Sequence, residues 1–384
     1  MTLNEQLQRL AEFEPVPYPV VSLYLDTRPN ERGRDQFQTF FRKELKARSD
    51  TYSQKADRES LDADLDRIAR FLETDLRPSA NAVAIFACNA ANLFETAQLD
   101  TAIDTHWLYI GDQPHLYPLA RLASQYPTFA AVLADTNRTR ILVIADGTVA
   151  SDRAVSGVKT HSTSQGGWSQ ARYQRHIANY HLQHVKEVVD ALDRIVSAER
   201  IDRIVLSGDP VILPLVHEQL PKHLAEKVIA EITLPSTAPE HEAVARTLEA
   251  LRTVDAETDR EKVDGAVGAF RAGGLGVVGP DATLLALTNG QVDELIITAS
   301  LASLRPLPHT RAAELAIAND SAVVESAVEQ TAAGEPATVP IGTVRLSDEL
   351  ITKAQQTGAR ISFIEDAPLL EPYGGVAATL RYRI

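Results

Sequence analysis

Short apolar runs alternate with segments of helical periodicity along the chain, and this alternation predicts a mixed α/β fold. In the first block, residues 18–26 (YPVVSLYLD) and 81–88 (NAVAIFAC) are apolar runs of strand length. Residues 35–49 and 59–76, which lie between these runs, have amphipathic helical spacing. A stretch with several prolines then breaks the pattern, and it predicts a domain boundary near residue 125.

The second block predicts a β-hairpin followed by alternating helices and strands. Two β-rich runs, FAAVLA and RILVIADG, lie on either side of the polar turn DTNRT. A long helix is expected from about Ala171, with a strand at residues 202–209 and a polar helix over residues 239–271. The apolar residues of the first helix fall on one face, namely Ile177, Val185, Val188, Val189, Leu192 and Ile195.

The third block begins near Gly273 and is again α/β. DATLLALTNGQ predicts a helix and VDELIITAS a strand, with further helices expected from there to about Thr331. The remaining predicted elements are a helix in SDELITKAQQTG, a strand in ARISFIED and a terminal strand in VAATLRYRI. We therefore expect three α/β domains, over residues 1–125, 126–272 and 273–384.

Composition places the chain among folded proteins of the cytoplasm. Of its 384 residues, 44% are apolar and 23% charged, which is typical of a globular domain. A single cysteine excludes an internal disulfide and a multi-cysteine zinc site. The first residues lack the pattern of a secretion signal, and no apolar run approaches the ~20 residues that cross a bilayer. We expect a cytoplasmic protein without membrane contacts.

The formal charge of −14, from 52 acidic and 38 basic residues, argues against a general nucleic-acid coat, and we expect no DNA partner. However, the segment from Arg153 to Lys186 contains no Asp or Glu. We call residues 153–186 the acid-free window. Because exposed charges interact over roughly 8–10 Å, this window can bind a polyanion although the chain as a whole is acidic.

Three other features are interpreted structurally. GLGVVG (residues 274–279) fits the pattern GxGxxG, but a charged helix precedes it instead of a buried strand, so we interpret it as a helix C-cap and a linker. His176, His181 and His184 share a helix without a neighbouring carboxylate or cysteine. We therefore predict polar surface histidines, with no metal site and no cofactor. Asp209, after a strand, is expected to cap the next helix.

The sequence SQGGWSQARYQR, inside the acid-free window, combines the features of an anion-binding loop. Gly166 and Gly167 permit backbone conformations that side chains would block. The helix that follows presents unpaired N–H groups and the positive end of its dipole. Arg172 and Arg175 are three residues apart and share a face of that helix, while Lys159 lies on the other side of the loop.

Trp168 gives this loop a second recognition element. Because it lies between Gly167 and Ser169, we expect its indole to be exposed and not part of a core. An indole next to arginines is suited to stacking on bases while the guanidinium groups bind backbone phosphates. The pattern therefore predicts a loop that binds RNA.

The same stretch resembles a loop of the archaeo-eukaryotic peptide-chain release factor family, which includes Pelota, and in particular its bacterial branch. That loop has the form G-G-Q-S-A-x-R-F-x-R. Residues 166–175 keep the glycine pair, the serine, the aromatic residue and both arginines in register. The terminal stretch YGGVAATLRYRI (residues 373–384) and ALTNGQVDELII (residues 286–297) are similar to parts of the family's last domain.

The resemblance implies a central domain of RNase H-like fold and a last domain that is an L7Ae-like α/β/α sandwich. It also implies a loop that enters the ribosomal A site near the peptidyl-transferase centre. The implied partners are ribosomal RNA and a translational GTPase, expected to be elongation factor Tu, as for hibernation factors of the Balon type. The implied RNA-binding residues are Lys159, Gly166, Gly167, Trp168, Ser169, Gln170, Arg172, Tyr173, Arg175 and His176.

The chain also departs from the family pattern. In release factors the glutamine after the glycines helps to place water at the peptidyl-tRNA ester, and here Trp168 occupies that position. Gln170 lies two residues later, a displacement of roughly 6 Å in extended chain. The first domain lacks the family's NIKS and YxCxxxF elements, so we do not expect it to read stop codons.

Three functions are compatible with these observations. The first, which we favour, is a non-catalytic factor that occupies the vacant A site and protects ribosomes during hibernation under stress. The second is a ribosome-rescue factor that hydrolyses peptidyl-tRNA, with Gln170 as the catalytic residue. The third is an unrelated small-molecule enzyme built on α/β domains.

Overall fold

The computed structural model describes residues 2–29, 37–103, 105–136, 138–156, 170–305, 325–331 and 337–383; for residues 170–178, 331 and 337 it describes the backbone alone. By the density of internal contacts the chain divides into two compact units. Tyr126–Glu257 forms one, which we call the central unit. Met1–Gln125 together with Thr258–Ile384 forms the other, which we call the terminal unit. The three-domain division remains a prediction.

The central unit is built around a five-stranded mixed sheet in the order β7-β6-β5-β8-β9. Strands β5, β6 and β7 form an antiparallel meander, whereas β8 is parallel to β5 and β9 is parallel to β8. This order and these directions are those of an RNase H-like sheet, as expected. Its elements are β5 (Phe129–Ala134), β6 (Arg138–Ala145), β7 (Thr148–Ser156), α5 (Gln170–Ala198), β8 (Ile204–Gly208), α6 (Leu213–Gln219), α7 (Lys222–Ala225), β9 (Val228–Ile232) and the first part of α8 (Glu240–Arg271).

Both faces of this sheet are covered at its centre because strands β5, β6 and β8 are apolar on both sides. On one face Val132 and Ile141 pack against the valines of α5, and Val185 and Val188 are almost completely buried. On the other face Leu142 and Ile144 pack with residues of α8. The predicted hairpin, the predicted apolar face of α5 from Val185 onward and the α/β class are confirmed. The side chain of Ile177 lies outside the described residues.

The terminal unit contains a six-stranded antiparallel sheet in the order β13-β12-β4-β1-β2-β3. The elements of its first segment are α1 (Leu3–Ala11), β1 (Val20–Asp26), α2 (Phe37–Ser49), α3 (Lys55–Thr74), β2 (Ala82–Cys88), β3 (Leu93–Leu99), β4 (Thr105–Gly111) and α4 (Tyr117–Gln125). Helices α2 and α3 cover one face and bury a cluster of phenylalanines, including Phe40 and Phe41. The proline-containing stretch before residue 125 contains helix α4. The prediction that the α/β pattern is broken there is therefore wrong.

The second segment of this unit contributes β12 (Ser326–Thr331) and β13 (Ala337–Thr338) to the same sheet. Strand β12 is antiparallel to β4 over its whole length. We predicted helices up to Thr331, and residues 326–331 are a strand instead. The reason is tertiary: Val328 is buried by pairing with Leu108, a partner that is distant in sequence.

A second, four-stranded sheet has the order β10-β15-β11-β14. Its elements are β10 (Gly276–Val278), α9 (Pro280–Thr288), β11 (Val292–Thr298), α10 (Ile341–Gln356), β14 (Arg360–Ile364) and β15 (Val376–Leu380). Ile296 faces the end of α8, with Val263 and Val267 of that helix, while Leu295 and Ile297 are buried toward the opposite face. Helices α9 and α10 also pack against this sheet, which gives the expected α/β/α layering.

Within GLGVVG, residues Gly276–Val278 form strand β10, which pairs with β15, so the interpretation of this motif as a linker is wrong. Gly276 is required because α8 lies directly against the strand. A Cβ atom at this position would come within 2.2 Å of the carbonyl oxygen of Ala266. In the part of the chain that is described, no helix is long and apolar enough to cross a membrane.

Candidate RNA-binding interface

The predicted RNA-binding loop begins outside the described residues and ends on α5. Those outside are Lys159, Gly166, Gly167, Trp168 and Ser169. Those on the first turns of α5, with only the backbone described, are Gln170, Arg172, Tyr173, Arg175 and His176. Helix α5 begins at Gln170, one residue before the predicted start. The prediction of these residues as RNA contacts remains a prediction.

The flanking elements locate the ends of this loop at one edge of the central sheet. Ser156, the last residue of β7, pairs with Arg138 at the start of β6. At the same edge the parallel strands β5 and β8 end, with Ala134 opposite Gly208. In α/β sheets, ligands bind outside the carboxyl ends of the parallel strands. The segment that connects β7 to α5 therefore leaves from the edge of the sheet that is commonly used for binding.

His184 is the first of the described side chains of α5 that is fully buried. Its Nε2 lies 3.1 Å from Oγ1 of Thr139, the second residue of β6. At a rise of ~1.5 Å per residue, about 20 Å of helix separate Gln170 from this contact. Of the described side chains before it, Asn179 and Gln183 are exposed, and Tyr180, His181 and Leu182 are half-buried. Among the described side chains of α5, the fully buried ones therefore begin at His184.

The start of α5 has the electrostatic character that an anion site needs. The first turn contains no acidic residue. The first N–H groups of a helix have no partner inside the helix, and the helix dipole places partial positive charge there. A phosphate at this end would meet N–H donors without a carboxylate of the same helical turn competing for them.

Two arginines at the start of β6, close to where the loop leaves β7, differ in whether their side chains are bound by other residues of the protein. Arg138 is exposed, and its side chain has no hydrogen bond or ion pair among the described residues. Arg140, by contrast, is buried: it pairs with Asp152 at 2.8 Å and donates to the carbonyl oxygen of Ala238 at 2.6 Å. The sequence analysis did not select Arg138, although its place beside the turn of a hairpin is a usable signal. Arg140 stabilises the fold and Arg138 is available for a ligand.

Two of the structural interpretations are corrected here. His184 is only 3% exposed, so it is not a surface histidine, and burial lowers its pKa. Among the described residues no three His, Cys, Asp or Glu side chains are placed to hold a metal ion. Asp209 does not cap α6, whose N-cap is Ile212. Its carboxylate accepts a hydrogen bond from the Val211 N–H at 2.7 Å in the turn before that helix.

Residues 114–252 match the model of bacterial archaeo-eukaryotic release factor family 10. The match covers most of the central unit and contains the glycine pair and the start of α5. It confirms the resemblance to the bacterial branch of this family that the sequence predicted. The two stretches that resemble the family's last domain, residues 286–297 and 373–384, lie outside the matched segment. No match was found among curated proteins.

Several solved structures are similar to the chain at low identity. An archaeal translation termination factor, aRF1, has 16% identity over 99% of this chain and 97% of that one, with a TM-score of 0.25. S. cerevisiae Dom34, described as a termination-like factor that interacts with Hbs1, has 9% identity over 79% of each chain, with a TM-score of 0.41. An archaeal Pelota, from a model of ribosome-bound Pelota and ABCE1, has 11% identity over 100% and 95%, with a TM-score of 0.40. These scores are too low to transfer functional residues by superposition.

Proposed function

We propose that this protein is a cytoplasmic ribosome-binding factor that occupies the vacant A site and places Gly166, Gly167 and Trp168 near the peptidyl-transferase centre. In this proposal it protects idle ribosomes in hibernation under stress. The observation that carries the proposal is the combination of a release-factor-like segment with the position of its glycine pair. The pair immediately precedes the amino terminus of α5, inside the acid-free window.

The distribution of charge along the chain supports this proposal. The chain has a net charge of −14, so its body is repelled by ribosomal RNA, and contact has to be made through a segment without acids. The acid-free window supplies Arg172 and Arg175 on a helix whose first N–H groups can bind phosphate. Arg138, exposed where the loop leaves the sheet, adds a further cation. Trp168 would stack on an unpaired base.

Trp168 favours occupation of the site over hydrolysis. An indole has one N–H donor and no acceptor oxygen, so it cannot orient water as a carboxamide does. Gln170 is the first residue of α5 and is therefore fixed to the helix start, two residues from the position that the family uses. Because catalytic groups must be positioned to within about 1 Å, this offset argues against release activity.

The proposal extends to the partner that delivers the protein. Dom34 is described as interacting with Hbs1, and the archaeal Pelota model contains ABCE1. By analogy, we propose that residues 273–384 contact a translational GTPase, and elongation factor Tu is the first candidate for a binding experiment. The segment of residues 1–125 would lie in the decoding centre without reading a codon.

The test is co-sedimentation of the purified full chain with vacant 70S ribosomes over a range of salt concentrations. We expect the double variant R172A/R175A to bind at least tenfold more weakly, because two phosphate contacts are lost. The slope of log affinity against log salt should fall by about one for each lost contact. The matched control is R194A/R246A, which removes two exposed arginines from the same unit outside the window. It should bind as the wild type does.

Equal binding of R172A/R175A and R194A/R246A would contradict the loop as the contact. A separate assay distinguishes occupation from hydrolysis: release of labelled peptide from ribosome-bound peptidyl-tRNA. We expect no release above buffer by the wild type. Release that disappears in Q170A would instead establish the hydrolytic alternative.

A further inference from the structure

The terminal unit contains a cleft that the proposed function does not use. It has a volume of about 640 Å³ and lies between β4, β12 and β13 on one side and the turn after β11 on the other. A smaller cavity of about 180 Å³ adjoins it, and Trp107 and Arg121 line both. Small-molecule sites typically measure roughly 300–1,000 Å³, so the cleft has the size of a ligand pocket.

Trp107 forms an aromatic wall of this cleft. It lies on β4 between the buried residues His106 and Leu108, but it is itself only half-buried. In the antiparallel register it is directly opposite Glu329 of β12. The Cβ atoms of such pairs are roughly 4.5–5.5 Å apart and point to the same face. The carboxylate of Glu329 therefore lies beside the indole, and both line the cleft.

The side chain of Glu329 contributes a carboxylate to the lining of the cleft. It has no hydrogen bond and no ion pair within the part of the chain that is described. It is half-buried, and this burial raises its pKa. A partly desolvated carboxylate is stabilised by N–H donors, which the described residues around it do not supply. This is the arrangement expected where a ligand provides the donors.

The described lining of the cleft also contains two arginines, Arg121 and Arg305. Arg121 is held by Glu365, with an Nη2–Oε2 distance of 3.2 Å, so these two charges compensate each other. Arg305 lines the same cleft, is exposed, and has no side-chain partner among the described residues. The uncompensated charges are therefore one carboxylate beside an aromatic wall and one guanidinium elsewhere on the lining.

We propose that this cleft binds a guanine mononucleotide, with the base on Trp107, its N1–H and 2-amino group donating to Glu329, and the phosphate paired with Arg305. The choice of base follows from donor geometry. Of the four RNA bases only guanine presents two adjacent N–H donors, which match the two oxygens of a carboxylate. Base stacking on an aromatic side chain and arginine–phosphate pairing are common modes of nucleotide recognition.

The test is isothermal titration calorimetry of the full chain with GMP, IMP and AMP, without ribosomes. IMP lacks only the 2-amino group of GMP. We expect GMP to bind, IMP to bind at least tenfold more weakly, and AMP more weakly still, because each loses donors to Glu329. This comparison uses the wild-type protein and does not depend on the folding of a variant. It is also independent of the proposed ribosome binding.

Single substitutions then test which residue contacts the base and which contacts the phosphate. E329Q should lose at least tenfold in GMP affinity, whereas E14Q, an exposed glutamate of the same unit outside the cleft, should bind GMP as the wild type does. R305A should weaken binding of GMP but not of guanosine, which has no phosphate. Circular dichroism of each variant confirms that it is folded.

Four results would overturn the proposal. The first is no binding of GMP to the wild type at millimolar concentration. The second is equal affinities for GMP and AMP, and the third is unchanged GMP binding in E329Q. The fourth is binding of the oligonucleotide UUGUU without binding of free GMP, which would assign the cleft to RNA.

Discussion

In the terminal unit, a buried histidine is held by a carboxylate, whereas in the central unit a buried histidine lies within hydrogen-bond distance of a hydroxyl group. Nδ1 of His115 lies 2.8 Å from Asp348 of α10, and the N–H groups of Leu116 and Tyr117 donate to the same carboxylate. His184 of α5 has the Thr139 hydroxyl as its described partner. His184 belongs to the acid-free window, and its direct side-chain partner is likewise uncharged, although Glu187 and Asp135 lie near enough to raise its pKa against the larger effect of burial.

The two units differ in whether a carboxylate lies beside the buried histidine. Asp348 caps the start of α4 from another helix, so a buried carboxylate fixes two segments that are distant in sequence. Near α5 a carboxylate would attract the arginines that are proposed to meet RNA phosphate. The Thr139 hydroxyl gives Nε2 of His184 a hydrogen-bond partner that adds no charge. At these two buried histidines the terminal unit uses a carboxylate as hydrogen-bond partner, while the central unit uses a hydroxyl group.

The largest effect is expected for D348A. The substitution removes the acceptor of three buried hydrogen bonds and leaves His115 and two backbone N–H groups without a partner. Breaking a buried polar pair typically costs about 3–5 kcal/mol. Hydrogen-exchange mass spectrometry should show much faster exchange in α4 and α10. Peptides of β5, in the central unit, serve as the internal control, and unchanged exchange in α4 would contradict the role of Asp348 as its cap.

A smaller, pH-dependent effect is expected for D64N in the terminal unit. Burial raises the pKa of Asp64 to about 7, and its Oδ2 accepts a hydrogen bond from the Asn89 N–H, which an asparagine can also do. Because the folded-state pKa is above the unfolded value of 3.8, wild-type stability falls as pH rises from about 4 to 7. D64N should lack this fall and melt a few degrees higher than wild type at pH 8.

At pH 4 the melting temperatures of D64N and wild type should nearly converge, because Asp64 is then neutral in the folded protein and the pH is close to its unfolded pKa of 3.8, so little of the ionisation penalty remains. A constant difference between the two proteins at all pH values would contradict a buried carboxyl with a raised pKa. It would indicate a packing effect of the substitution instead.

The smallest effect is expected for T139V in the central unit. The variant keeps the shape of the side chain but removes the hydroxyl that contacts His184, at a cost of about 1 kcal/mol. Urea unfolding, followed by exchange of β6 amides, should detect this loss. T253V, which removes an exposed hydroxyl bonded within α8, should leave β6 unchanged. A loss in T139V as large as that in D348A would remove the contrast between the two units.

An element could be predicted from the sequence when its conformation follows from its own residues. It could not when the conformation depends on a partner that is distant in the chain. Strands β1, β2, β5 and β6 are continuous apolar runs, and α5 has a regular apolar face, so their patterns were sufficient. The segment SAVEQT was predicted as helical because its strand conformation depends on pairing with β4, which lies far away in the chain. Strand β3 is half-exposed along most of its length and gives little apolar signal.

The same distinction applies to the two candidate sites. The glycine–tryptophan loop and the start of α5 are contiguous in sequence, so the motif could be recognised directly. The cleft brings Trp107 next to Glu329 only through the β4–β12 register, and each residue alone is unremarkable in the sequence. Predicting such a site requires the pairing of the two strands first.

The central claim is that residue 168 reaches the peptidyl-transferase centre, and crosslinking tests it most directly. A photo-reactive phenylalanine derivative is placed at position 168 in place of Trp168, and the protein is bound to vacant ribosomes and irradiated. The account predicts crosslinks to large-subunit ribosomal RNA at the peptidyl-transferase centre, lost when R172A/R175A is introduced. Efficient ribosome binding with crosslinks only to the protein itself, or to RNA remote from that centre, would contradict it.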